Sequence, residues 1–116
     1  MPAPVYKVLA EAAYEAAKGE GQFLGTGDDL RDGFIHLSAP HQVAGTLAKH
    51  YSGQADLLLL GLDPERLGAD IKWELSRGGD LFPHLYGALP LDAIVSVEPL
   101  ELNDDNRHIL PEGVPG

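Results

Sequence analysis

Leu57-Leu58-Leu59-Leu60-Gly61-Leu62 is apolar without interruption, where a strand facing water on one side would alternate. A continuous run of this kind is expected of a strand covered on both faces. It is far below the ~20 residues needed to span a bilayer, so it reads as a central strand and not as a membrane segment. The chain that must supply cover on two sides has 116 residues. Two independent units would leave both cores too small, so residues 1–100 are read as one domain. Residues 101–116 are rich in Asn, Asp, Pro and Gly and are read as a loose C-terminal tail.

Other elements are arranged around this strand. Val5 to Leu9 has the β-branched and aromatic content of a first strand. Glu11 to Lys18, alanine-rich, predicts a peripheral helix that Gly19 stops. Gly19 to Arg31 carries several glycines and Asp28-Asp29 and predicts a long loop. The amides of Gly25-Thr26-Gly27 could hold an anion there, although no G-x-G-x-x-G or Walker pattern is present and a plain turn is the simpler reading. In Phe34 to Leu37, alternation sends Ile35 and Leu37 inward and leaves Phe34, His36 and Ser38 on the other side. Ser38 is placed to cap a helix from Ala39 to about Tyr51, with Val43, Leu47, His50 and Tyr51 as its stripe. Asp63-Pro64 predicts a capped helical turn, and Asp70 to Leu75 a strand with Ile71, Trp73 and Leu75 opposite Lys72 and Glu74. Leu81 to Tyr86 is a short strand whose Pro83 cannot donate to a ladder, which argues for an edge or an irregular segment. Ile94 to Leu100 is the last strand. Five or six strands and two main helices make a mixed α+β domain, not a doubly wound one.

Eighteen acidic against eight basic side chains give a formal charge of −10, and the bases are scattered. That balance repels a phosphate backbone and argues against a nucleic-acid partner. There are no cysteines, which removes disulfides, thiolate nucleophiles and Cys-based metal sites and fits a reducing cytoplasm. Met1-Pro2-Ala3-Pro4 lacks the basic and apolar regions of a signal peptide, and no membrane partner is expected.

Two stretches share the spacing Phe-x-His-Leu: Phe34-Ile35-His36-Leu37-Ser38 and Phe82-Pro83-His84-Leu85-Tyr86. An imidazole can accept, donate or carry charge near neutral pH, so His36 suits a sugar hydroxyl or a proton transfer; equally, it can order its own loop, with Asp32 as partner. His84 and Tyr86 share a face if their strand is extended, either toward a ligand or toward the core. Glu74, beside Trp73, has the chemistry of a catalytic carboxylate, or it forms a solvated pair with Lys72. His36 and His84 with a carboxylate could make a zinc shell, but no H-E-x-x-H exists and no metal is expected. No G-x-S-x-G supports a serine nucleophile.

Together, Asp32-Gly33-Phe34-Ile35-His36-Leu37-Ser38, Trp73-Glu74 and Phe82-Pro83-His84-Leu85-Tyr86-Gly87 resemble the bacterial family designated domain of unknown function 952, over roughly Val5 to Leu100. The resemblance implies a fold similar to the ADP-ribosyltransferases, a small mixed, split β-sheet with two main helices around an NAD-binding cleft. His36 to Ser38 is also similar to the histidine-bearing strand of RNA 2′-phosphotransferases, whose basic residues have no counterpart here. On this resemblance NAD is the implied cofactor and a small nucleotide the implied partner. His36 and Glu74 are then the catalytic candidates, and His36, Ser38, His84 and Tyr86 the ligand-binding ones. Binding without turnover, and a purely structural or protein-interaction role, stand as the alternatives.

Overall fold

The computed structural model describes residues 3–115; Met1, Pro2 and Gly116, and the side chain of Arg77, lie outside that description, and with them part of the signal-peptide reading. Along the chain run β1 (Val5–Ala10), α1 (Glu11–Glu20), β2 (Gln22–Phe23), α2 (Asp28–Asp32), β3 (Ile35–His36), α3 (Val43–His50), β4 (Leu57–Leu62), α4 (Pro64–Leu67), β5 (Ile71–Leu75), β6 (Leu81–Leu85), β7 (Leu89–Pro90) and β8 (Ile94–Leu100). This is a small mixed α+β domain whose strands divide into three antiparallel groups: β1-β4-β8, β3-β6-β5 and the two-residue pair β2-β7.

The leucine run does what its pattern requires. In β4, Leu60 and Leu62 face one core with Val5, Leu9, Ile35 and Leu85, while Leu57 and Leu59 face a second core with Val8, Val43, Leu47 and Leu100. Each leucine so enclosed contributes roughly 1.5–3 kcal/mol, which explains why no polar residue interrupts the strand. The two three-stranded sheets are joined where Tyr6 of β1 and Ser38 exchange backbone hydrogen bonds of 2.8 Å in both directions.

Several local expectations are corrected. Helix α1 continues through Gly19 and stops at Gly21, whose φ of 81° lets its N–H return to the Ala17 carbonyl. The expected loop from Gly19 to Arg31 holds the end of α1, β2 and all but the last residue of α2; β2 and α2 are too short for a periodic signal. Ser38 does not cap a helix: a 3₁₀ turn at Pro40–Gln42 precedes α3, and the Gln42 side chain takes the Ala39 N–H at 2.9 Å. Pro83 lies in the central strand β6, not at an edge. Leu37 donates to the Pro83 carbonyl at 3.0 Å, and Pro83 has no N–H to return, so the β3–β6 ladder ends where the missing donor is tolerated. Strand β5 is the edge, and Trp73 and Leu75 of its apolar face are 49% and 73% exposed. Beyond β8, Leu102 bridges His108, whose Nε2 lies 2.7 Å from the Gln54 carbonyl, and Leu110 and Val114 pack on the second core. No helix among the described residues is long and apolar enough to cross a membrane.

Candidate functional site

The two Phe-x-His-Leu segments are direct antiparallel neighbours, with His36 opposite His84 and Ile35 opposite Leu85. Ile35 and Leu85 are buried on the core side, which by alternation puts both imidazoles on the other face, ring centroids 5.7 Å apart. Phe34 fills the space between them: it stacks on His84 at 4.1 Å, tilts against His36 at 4.6 Å and reaches Tyr86 at 5.2 Å.

On one side His36 is bracketed by helix α2. Its Nδ1 lies 2.7 Å from Asp29 Oδ1 and its Nε2 3.0 Å from Asp32 Oδ2. A neutral ring has one N–H and would turn a lone pair toward one of these carboxylates, whereas an imidazolium donates to both. The Asp29 hydrogen bond accordingly raises the His36 pKa above its ordinary value, against the opposing effect of burial. Asp29 is 4% exposed and also accepts from the His36 backbone N–H at 2.9 Å and from Lys7 Nζ at 2.9 Å. Burial pushes its carboxyl up, but the bond to His36 and the charge of Lys7 outweigh this and hold it at about 2. Lys7, 5% exposed, is pulled below the usual lysine range by burial, with Asp29 opposing the shift; it also donates to the His36 carbonyl at 3.1 Å. Arg31, exposed, pairs with Asp28 and Asp32.

On the other side His84 Nδ1 lies 2.8 Å from Glu74 Oε1, and the Tyr86 hydroxyl donates to the same oxygen at 2.6 Å. The Tyr86 bond, then the His84 bond, lowers the Glu74 pKa and keeps the carboxylate ionised. The same bond raises the Tyr86 phenol.

A cavity of about 460 Å³ opens beside the histidine pair, between α2, β1, the end of α3 and β6. His36, Ser38 and His84 border it, as do Lys49 and Tyr51. Ser38 is buried and its hydroxyl is bound to Thr46 Oγ1 at 2.9 Å. Glu74 and Tyr86 are not part of the wall and meet it through His84. So the structure gathers His36, Ser38 and His84 at one hollow and sets Glu74 and Tyr86 on its flank. Among the described residues, no group of three or more acidic or histidine side chains is placed to hold a metal ion.

Asp32 as a partner of His36 was readable from sequence; Asp29, Lys7 and Phe34 were not singled out. Asp29 resembled an ordinary turn residue. The signal that points to it is Lys7, in phase with Val5 and Leu9 on an inward strand face, because a buried ammonium demands a carboxylate nearby.

Residues 8–97 match the family model described as "Protein of unknown function (DUF952)". The crystal structure of protein CC0527 from Caulobacter crescentus, a structural-genomics target, is 47% identical and superposes with a TM-score of 0.88 over 91% of this chain and 93% of that one. The solution structure of CC0527 is 48% identical, with a TM-score of 0.80 over 90% of each chain. No curated protein matches the chain significantly. The match across most of the sequence, and a relative at nearly half identity along almost its whole length, make this chain a member of the DUF952 family.

Proposed function

We propose that the protein binds a small nucleotide of the NAD class in the cleft beside β3 and β6, and acts on it as an ADP-ribosyl or glycosyl transferase-like enzyme. The observation that carries this reading is the meeting of His36 and His84 at one hollow of about 460 Å³, within the usual size of a small-molecule site. Lys49, in the cavity lining, supplies a positive charge suited to a diphosphate, while the charges of His36 and Arg31 are already met by Asp29, Asp32 and Asp28. Glu74, held ionised by Tyr86 and His84 on the flank of the cavity, reaches the cleft through His84 and sets negative charge behind that ring. An ADP-ribosyltransferase-like fold belongs to the same proposal, and the division of the strands into two three-stranded sheets beside the cleft supports it.

Binding without turnover is the second reading. It is favoured by the position of Glu74 and Tyr86, which stand outside the cavity wall. Calorimetry with NAD and with ADP-ribose tests the cleft. The expected result is binding that weakens by about ten-fold when Lys49→Gln removes one charged contact. No binding by the wild type, or equal affinity in the variant, overturns the proposal. Nicotinamide release that Glu74→Gln abolishes selects the enzyme; binding with no release selects the second reading.

A further inference from the structure

We propose that His84 is the proton acceptor of this cleft and Glu74 the positioning residue that fixes its tautomer, so that the cleft serves a hydroxyl-bearing acceptor, a sugar or water. This reverses the role expected for Glu74. His84 is 5% exposed, and its Nδ1 is committed to the ionised Glu74 carboxylate at 2.8 Å. The proton of a neutral ring must then sit on Nδ1, which leaves the Nε2 lone pair open. Nε2 has no hydrogen-bond partner among the described residues, and the ring borders the cavity. No fully buried side-chain nitrogen or oxygen among those residues lacks a partner, so Nε2 remains reachable from the hollow. Phe34, stacked at 4.1 Å with an interplanar angle of 27°, holds the ring plane.

Two other candidates at the hollow are committed elsewhere. His36 has both ring nitrogens on carboxylates, and the Ser38 hydroxyl is bound to Thr46. His84 alone of the histidine pair therefore combines a fixed ring, a carboxylate behind it and an open nitrogen in front, the arrangement in which a carboxylate orients a general base.

The step rests on the nucleotide reading above. The acceptor O–H breaks and its proton passes to Nε2, forming an imidazolium whose charge Glu74 meets. The freed oxygen pair bonds to the ribosyl carbon, and the carbon–nitrogen bond leaves with its electrons on a neutral nicotinamide. Proton loss from Nε2 to water restores the site.

Long-range ¹⁵N spectra of the histidine rings in the ligand-free full chain, with carbethoxylation by diethyl pyrocarbonate followed by mass spectrometry, test the assignment. Expected are a ring whose neutral form carries its proton on Nδ1, and modification at Nε2. In Glu74→Gln, on the half-exposed flank, the tautomer preference is lost and the modification rate falls by about ten-fold or more. A proton on Nε2, or a spectrum and rate unchanged in Glu74→Gln, overturns the proposal. With NAD as probe, His84→Gln should abolish nicotinamide release while NAD binding stays within a few-fold; retained release also overturns it. If NAD does not bind, the nucleotide reading falls, and the tautomer and the modification rate alone decide the role of His84.

Discussion

His36 stands directly opposite His84 across the β3–β6 ladder, and the two rings, 5.7 Å apart, differ in how many carboxylates hold them. His36 lies between two carboxylates and is favoured as a cation; His84 has one carboxylate and one open nitrogen. The raised His36 pKa predicts a titration midpoint above its ordinary 6.5 in histidine NMR spectra. Asp29→Asn removes the bond that causes most of the rise, so the midpoint should fall in that variant. Because the folded value lies above the unfolded one, the stability His36 contributes is fully present below about 6.5 and is lost as pH rises through the folded pKa. Urea midpoints measured upward from pH 6 should therefore decline more steeply in the wild type than in His36→Gln.

Lys7 and Asp29 form a buried pair at 2.9 Å, with side chains 6% and 3% exposed. Removing one partner strands the other in the core, which costs about 3–5 kcal/mol. Lys7→Met and Asp29→Asn should each lower stability on that scale in chemical denaturation. The double variant should lose less than the sum of the two, because it leaves no unpaired charge. Additive losses would mean that the two side chains act independently.

The same carboxylate sets the acid limit. Asp29 is held at about 2 against an ordinary 3.8, a difference that corresponds to about 2 kcal/mol of stability. With the folded pKa depressed, that contribution is present above pH 3.8 and disappears as pH falls from there toward 2. Stability measured across this window should drop in the wild type and be flatter in Asp29→Asn. Parallel slopes in the two proteins would place the acid-sensitive group elsewhere.

What could be read from the chain alone follows a physical division. The leucine run and the helical stripe through Val43 and Leu47 announce themselves because burial writes an apolar pattern, while the last strand from Ile94 to Leu100, in which only Leu100 is buried, is marked by its β-branched residues. Helix α2 does not, because five residues carry no period and Lys7 and His36 hold it from other elements. The Phe-x-His-Leu echo pointed to a shared site, yet only the antiparallel register makes His36 and His84 neighbours. Pro83 misled for a related reason: whether a missing N–H excludes a central position depends on where the adjoining strand stops. Which carboxylate each histidine takes is likewise a tertiary fact, and it decides that Glu74 serves His84 and does not face the cavity itself.

Gly61, the one break in the leucine run, is paired with Ser96 of β8 beside a register shift in the ladder. A Cβ at this position would collide with the Ser96 hydroxyl, while the Ser96 Cβ and the Tyr6 ring lie at an ordinary 3.5 Å. The glycine is therefore required by close approach across the sheet and not by backbone conformation, since its φ is not in the left-handed region. Gly61→Ala should cost about 1–3 kcal/mol, the range for overpacking a well-filled interior. Ser96→Ala removes the colliding oxygen and leaves only the ordinary contacts, so adding it to Gly61→Ala should recover most of the loss. Thermal or urea unfolding of the two single variants and the double variant measures this directly. If the double variant is no more stable than Gly61→Ala, the clash with Ser96 does not explain why the run is interrupted there.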